Sequence, residues 1–120
     1  MIDIHKLKEL VLAEFSGIVE QVLVTDITEL RILLSDGSFV DVWYSPRQAH
    51  KYSYHWERQH LDGSIYRHDN APHVRWSTIE TFPKHFHKGA EHQVEASFLA
   101  DEPTQAIREF MLFVKSRLAD

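Results

Sequence analysis

Nine histidines stand in this 120-residue chain, and eight of them fall between His50 and His92. The densest group is "TFPKHFHKG", residues 81–89, where His85 and His87 are two apart and Lys84 and Lys88 lie outside them. Upstream are "RHDNAPH", residues 67–73, and "YSYHW", residues 52–56. Three kinds of chemistry suit these side chains. In the first, two imidazoles two residues apart on an extended chain point to one face and hold a transition ion such as Zn²⁺, with His73, Asp69 or His55 as a third ligand. In the second, a neutral His takes a proton from a ribose 2′-OH and a protonated His gives one to the leaving oxygen. Lys84, Lys88, Arg67 or Arg75 would then offset charge in the transition state, and Trp56, Trp76, Tyr54 or Phe86 would stack an unpaired base. In the third, the residues are structural. Asp69 and Asn70 organise a turn, His73 and His85 cap backbone groups, and Tyr54 and Trp56 fill the core. His50, His60, His68 and His92 are then ordinary surface residues. Spacing alone leaves all three open, since a His-x-His pair lacks the specificity of a helical H-E-x-x-H.

The elements that must position these residues are legible from periodicity. Asp3 is placed to cap a helix on which Ile4, Leu7, Leu10 and Val11 recur at helical spacing. Gly17 is its expected left-handed stop. "GIVEQVLVTD" and "ELRILLSDGSFVDVWYS" read as strands, with Asp36-Gly37 as a type I′ hairpin turn. Val40, Val42 and Tyr44 share one face and Phe39, Asp41 and Trp43 the other. "KYSYHWERQ" and "SIYRHDN" form a second hairpin about Asp62-Gly63, with Tyr52, Tyr54 and Trp56 on one face and Ser53, His55 and Glu57 opposite. Residues 71–89, with Pro72 and Pro83, read as a long loop. "HQVEASFLA" reads as a short edge strand. Asp101-Glu102-Pro103 opens a last helix whose buried stripe is Ile107, Phe110, Met111, Val114 and Leu118. The expected fold is a single α+β domain over residues 1–120: an antiparallel meander of about five strands, helices from both ends packed on one face. The other face carries His55 and Asp69, with the proline-containing loop folded over it.

Composition narrows the function. There is no cysteine, so disulfides and thiolate metal sites are excluded. No apolar run reaches the roughly 20 residues of a membrane helix, and the N-terminal stretch does not read as a secretory signal. A cytoplasmic protein is therefore expected. The net charge is −5, divided into +2 between Pro46 and His92 and −7 over the remainder. Positive charge is concentrated with the histidines, where a phosphate would feel it.

Together, "YSYHW", "RHDNAPH" and "TFPKHFHKG" resemble the three signature segments of the TumE-like family of bacterial and archaeal toxin–antitoxin toxins. The resemblance covers the middle third strongly. Val74 stands where relatives often carry a second histidine, and Lys84 replaces another, so an imidazole at that position is not essential to the shared chemistry. The stretch 74–80, with Arg75 and Trp76, is outside the pattern. The resemblance implies a toxin encoded beside a helix-turn-helix antitoxin. RNA is the expected target by analogy with other small toxins. The expected function is thus metal-independent, endoribonuclease-like action on RNA. Its catalytic residues are His55, Asp69, His73, His85 and His87, where His85 or His73 shuttles protons and Asp69 orients an imidazole. Trp56, Arg67, Asn70, Arg75, Lys84 and Lys88 are assigned to substrate. No cofactor is expected, a metal at His85 and His87 being the lesser alternative. A non-catalytic module that docks a partner protein or holds a metal is the competing reading, and a homo-oligomer is left open.

Overall fold

A computed structural model describes residues 2–119. Helix α1 (Ile4–Glu14) starts at Asp3, whose carboxylate accepts from the Lys6 N–H at 3.1 Å. This satisfies one of the donors that a first turn leaves free. The helix ends at Phe15, and the left-handed glycines are Gly37, Gly63 and Gly89, not Gly17.

Seven strands follow in one antiparallel sheet, each paired with its successor in the chain. They are β1 (Val19–Asp26), β2 (Glu29–Leu34), β3 (Phe39–Tyr44), β4 (Tyr52–Arg58), β5 (Ser64–Asp69), β6 (His85–Gly89) and β7 (Val94–Ala96). The expectation of about five strands falls short by two: "HQVEASFLA" supplies β7, the short edge strand expected there, and residues 71–89 are not all loop. "HFHKG" is strand β6, hydrogen-bonded between β5 and β7. It alternates with period two, but one of its buried sides carries imidazoles, so no apolar rhythm announces it. The two Asp-Gly turns also differ from the simple hairpin form. At the first, only Gly37 has positive φ (91°), whereas a type I′ turn needs two such residues. Asp36 instead accepts from the Ser38 N–H and hydroxyl, and the Gly37 N–H returns to the Leu34 carbonyl. At the second, one helical turn, α2 (Gln59–Asp62), closes on Gly63 at φ 78°.

Helix α3 (Pro103–Leu118) begins at Glu102, which accepts from the Thr104 and Gln105 N–H groups, and Pro103 sits in its first turn. Its buried stripe of Ile107, Phe110, Met111 and Val114 joins Ile4, Leu7 and Val11 of α1 over one face of the sheet. That face supplies Leu30, Ile32, Val40, Val42, Tyr44, Tyr52, Tyr54 and Trp56. The Tyr44 and Tyr54 hydroxyls bond each other at 2.6 Å, but the buried Tyr52 hydroxyl has no partner among the described residues. A buried hydroxyl without a partner forfeits its hydration for nothing. Tyr52→Phe is therefore expected to leave stability unchanged or raise it by up to about 1 kcal/mol. Urea unfolding measures this, and a loss of more than that amount would mean the hydroxyl is satisfied in solution.

With both helices on one side, the second face of the sheet is left for polar residues. Arg31 and Asp41 pair there at 2.8 Å across β2 and β3. The same face at β5 and β6 carries the histidine segments.

Candidate functional site

Register brings several of the candidate side chains together. On the helix-free face, Asp41, His55, Arg67 and His87 form one row across β3 to β6. Trp43, Ser53, Asp69 and His85 form the next row. Asp69 thus faces His85 directly and His87 diagonally. The pairing follows from period two in both strands, since 67 and 69 share a face, as do 85 and 87.

Both imidazoles are buried, His85 to 2 % and His87 to 4 % exposure. His85 Nδ1 donates to the Pro83 carbonyl at 2.9 Å, and His87 Nδ1 donates to the Glu91 carbonyl at 2.8 Å. A carbonyl oxygen only accepts, so each Nδ1 carries a hydrogen and each Nε2 is the nitrogen turned to Asp69. His85 Nε2 lies 3.0 Å from Asp69 Oδ1, and His87 Nε2 lies 3.9 Å from Asp69 Oδ2. The Asp69 carboxylate also accepts from the Ala71 N–H at 3.1 Å and from Arg67 Nε at 3.1 Å. Arg67 is held in turn by both oxygens of Glu91, at 2.7 and 2.6 Å. The bond to Glu91 and the one to Asp69 raise the Arg67 pKa, and Arg67 lowers that of Glu91. Burial, more than any neighbour, holds the His87 pKa below its ordinary value, which favours the neutral ring.

The loop between β5 and β6 closes the site from above. His73 caps a single 3₁₀ turn, Val74–Trp76, its Nδ1 accepting from the Arg75 N–H at 3.2 Å. The loop is pinned at its far end by Thr81, whose hydroxyl donates to the Lys84 carbonyl and accepts from the Ser97 N–H. Trp76 is thereby set against both imidazoles, with ring centroids 6.2 Å from His85 and 5.9 Å from His87. Arg75 lies over the Trp76 ring at 5.4 Å and forms no ion pair among the described residues. A cleft of about 570 Å³ opens between loop and sheet, lined by Asp69, His73, Arg75, Trp76, His85 and His87, with Arg67, Glu91 and His92 at its side.

Other expected residues lie elsewhere. Trp56 is 1 % exposed on the helix side and offers no face for a base. Tyr54 and Phe86 are buried on that side too, so among the four stacking candidates only Trp76 borders the cleft. Lys88 pairs in register with Tyr66 and reaches Glu95, on the face opposite His87. Lys84 bonds the Leu99 carbonyl and pairs with Asp101. Asn70 fastens two segments, accepting from the Tyr52 N–H and donating to the His50 carbonyl. His55 lies beside Arg67, outside the residues that line the cleft, and both its ring nitrogens are engaged, Nδ1 by Arg67 and Nε2 by Glu57. His68 is no surface residue: it stacks on Phe86 at 4.1 Å and bonds the Ser97 hydroxyl. Burial pushes its pKa down to about 4.

Sequence reasoning missed Glu91, whereas His92 is exposed, as expected, at the side of the cleft. The signal for Glu91 was the turn at Gly89, whose φ of 91° folds the chain back so that Glu91 returns over Arg67 and His87.

No curated protein and no solved structure matches the chain significantly. No helix among the described residues is long and apolar enough to cross a membrane. The family model described as Toxin TumE matches residues 7–118, which include every strand, helix α3 and all but the first three residues of α1. The chain belongs to the TumE family of toxins.

Proposed function

We propose that this toxin cleaves RNA phosphodiesters in the cleft between β5, β6 and the loop above them. One observation carries the reading: Asp69, His85 and His87 meet at a cleft whose rim holds an uncommitted Arg75 and the face of Trp76. A single-stranded segment needs such a cation for its phosphate and such a ring for its base. Arg67 does not serve the phosphate, because Glu91 and Asp69 already neutralise it. Cleavage also needs a group to receive a proton from the nucleophile and a group to return one to the leaving oxygen. His85 is unsuited to either, with Nδ1 on Pro83 and Nε2 on Asp69. His87 Nε2 offers a lone pair, and His73, whose Nδ1 accepts, carries its hydrogen on Nε2. The RNase is expected to act in the cytoplasm and to be neutralised by an antitoxin, of helix-turn-helix type, encoded beside it.

Expression of the chain alone should slow growth and fragment cellular RNA. His85→Ala combined with His87→Ala should restore growth and leave RNA intact, with circular dichroism checking that the variant folds. A folded double variant that is equally toxic sinks the assignment. A chain that slows growth with intact RNA and captures a partner would instead be the non-catalytic docking module. Arg75→Ala should weaken binding of single-stranded RNA several-fold, by about 1 kcal/mol, without moving the unfolding midpoint. Fluorescence anisotropy at fixed salt measures the first and urea titration the second.

A further inference from the structure

We propose that Asp69, His85 and His87 are the protein ligands of one divalent transition ion of the Zn²⁺ type, seated at the floor of the cleft. This deepens the RNA-directed reading, in that the ion rather than the His87 lone pair would then meet the attacking oxygen. Ion uptake is measured without RNA, so the two readings fail separately.

The geometry fits. One ligand atom from each residue lies within 4.8 Å of the other two. A tetrahedral ion with ligands at about 2.1 Å holds them roughly 3.4 Å apart. The shortest nitrogen–oxygen separations, 3.0 Å from His85 to Oδ1 and 3.9 Å from His87 to Oδ2 of the same carboxylate, lie on either side of that spacing. Small rotations of buried side chains would close the difference.

The hydrogen bonds around the three residues point the same way. Ligating histidines ordinarily donate the second ring N–H to a carbonyl or carboxylate, which fixes the tautomer and aims the lone pair. His85 does so to Pro83 and His87 to Glu91, both through Nδ1. With Nδ1 carrying the hydrogen, His85 Nε2 and the Asp69 carboxylate would oppose lone pairs at 3.0 Å. Only a proton or a cation between them makes that contact favourable. His87 gives the independent sign. It is 4 % exposed, yet its Nε2 forms no hydrogen bond among the described residues and is aimed at the same carboxylate. That Nε2 is open to the cleft rather than sealed in the core, so its lone pair is free for an ion entering from solvent.

Charge permits a cation as well. Arg67 touches Asp69 and alone would repel an ion, but Glu91 grips Arg67 with both oxygens and offsets it. Two neutral imidazoles, one carboxylate and this pair leave one net negative charge at the site. Two nitrogens with one oxygen suit zinc and its transition neighbours better than Mg²⁺, which prefers oxygen and octahedral water. Three protein ligands on the floor of an open cleft match the pattern of reactive rather than purely structural zinc centres.

The test uses the full chain made without a polyhistidine tag and stripped with EDTA. Titration with ZnCl₂ in a calorimeter should give one equivalent bound at low-micromolar affinity or tighter, and MgCl₂ should give none. Co²⁺ in place of Zn²⁺ should give visible absorption bands of a low-coordinate site. His87→Ala should weaken zinc uptake about 100-fold. Should that variant unfold, Asp69→Asn carries the same comparison. No stoichiometric uptake of Zn²⁺ or Co²⁺ by the parent chain overturns the proposal, as does uptake undiminished in both folded variants. A chain that holds zinc but spares RNA refutes only the RNA reading. One that cuts RNA in EDTA with no metal bound refutes only this one.

Discussion

Asp69→Asn abolishes toxicity while the chain still folds: this is the expected result with the largest functional effect. The substitution keeps the shape of the side chain and its acceptor for the Ala71 N–H. It removes the negative charge on which Arg67 Nε, His85 Nε2 and, at longer range, His87 Nε2 converge. Arg67 keeps Glu91, so no cation is stranded in the sheet. The stability cost is that of weakened charge-assisted hydrogen bonds, about 1–3 kcal/mol, which a domain of ordinary stability survives. The centre itself loses its charge, and a loss on the order of 100-fold or more in RNA cleavage is expected. Growth curves, a cleavage time course and a urea melt separate the two effects. A folded Asp69→Asn variant as toxic as its parent would remove Asp69 from the chemistry.

The largest effect on stability is expected from Trp56→Ala. Trp56 is 1 % exposed, and its ring packs on Tyr66 at 5.4 Å and edge-on to Phe113 of α3 at 6.2 Å. Its indole N–H donates to the Ser38 hydroxyl at 2.9 Å, which ties β4 to the β2–β3 turn. Truncation leaves a cavity and removes the indole bond to the Ser38 hydroxyl, which keeps Asp36, at a cost of about 3–5 kcal/mol. That is a large part of the stability of a domain this size. Trp76→Ala should move the unfolding midpoint by less than about 0.5 kcal/mol and instead weaken RNA cleavage. Equal destabilisation by the two substitutions would show that the loop is part of the folding core.

The contrast between the tryptophans also shows what could be read before the structure. Alternation in "YSYHWER" had already set Tyr52, Tyr54 and Trp56 against Ser53, His55 and Glu57, and the sheet has that arrangement. Adjacency of His55 and Trp56 in the motif drew Trp56 toward the substrate, and adjacency is misleading in a strand. Strands β1 to β5 and both end helices were legible because apolar residues mark their buried sides. Strand β6 was not, since His85 and His87 occupy a buried side that apolar residues would normally announce. Once β6 is a strand, period two turns Lys88 away from His87, which reading it as a loop could not reveal. Glu91 needed the long-range register of β5 with β6 and the fold-back at Gly89, neither of which a local pattern encodes.

Because every strand pairs with its successor, the sheet can be laid down in the order of synthesis, N-terminal part first. Strands β1 to β4 have all their sheet neighbours, and β5 has β4, before His85 and His87 are made. The two imidazoles, the Glu91 turn and the α3 lid over Tyr54 and Trp56 come last. A nascent chain halted before residue 85 would carry Asp69 and Arg67 without the histidines. The proposed centre therefore comes into being only near the end of translation, and an antitoxin has that interval in which to be ready.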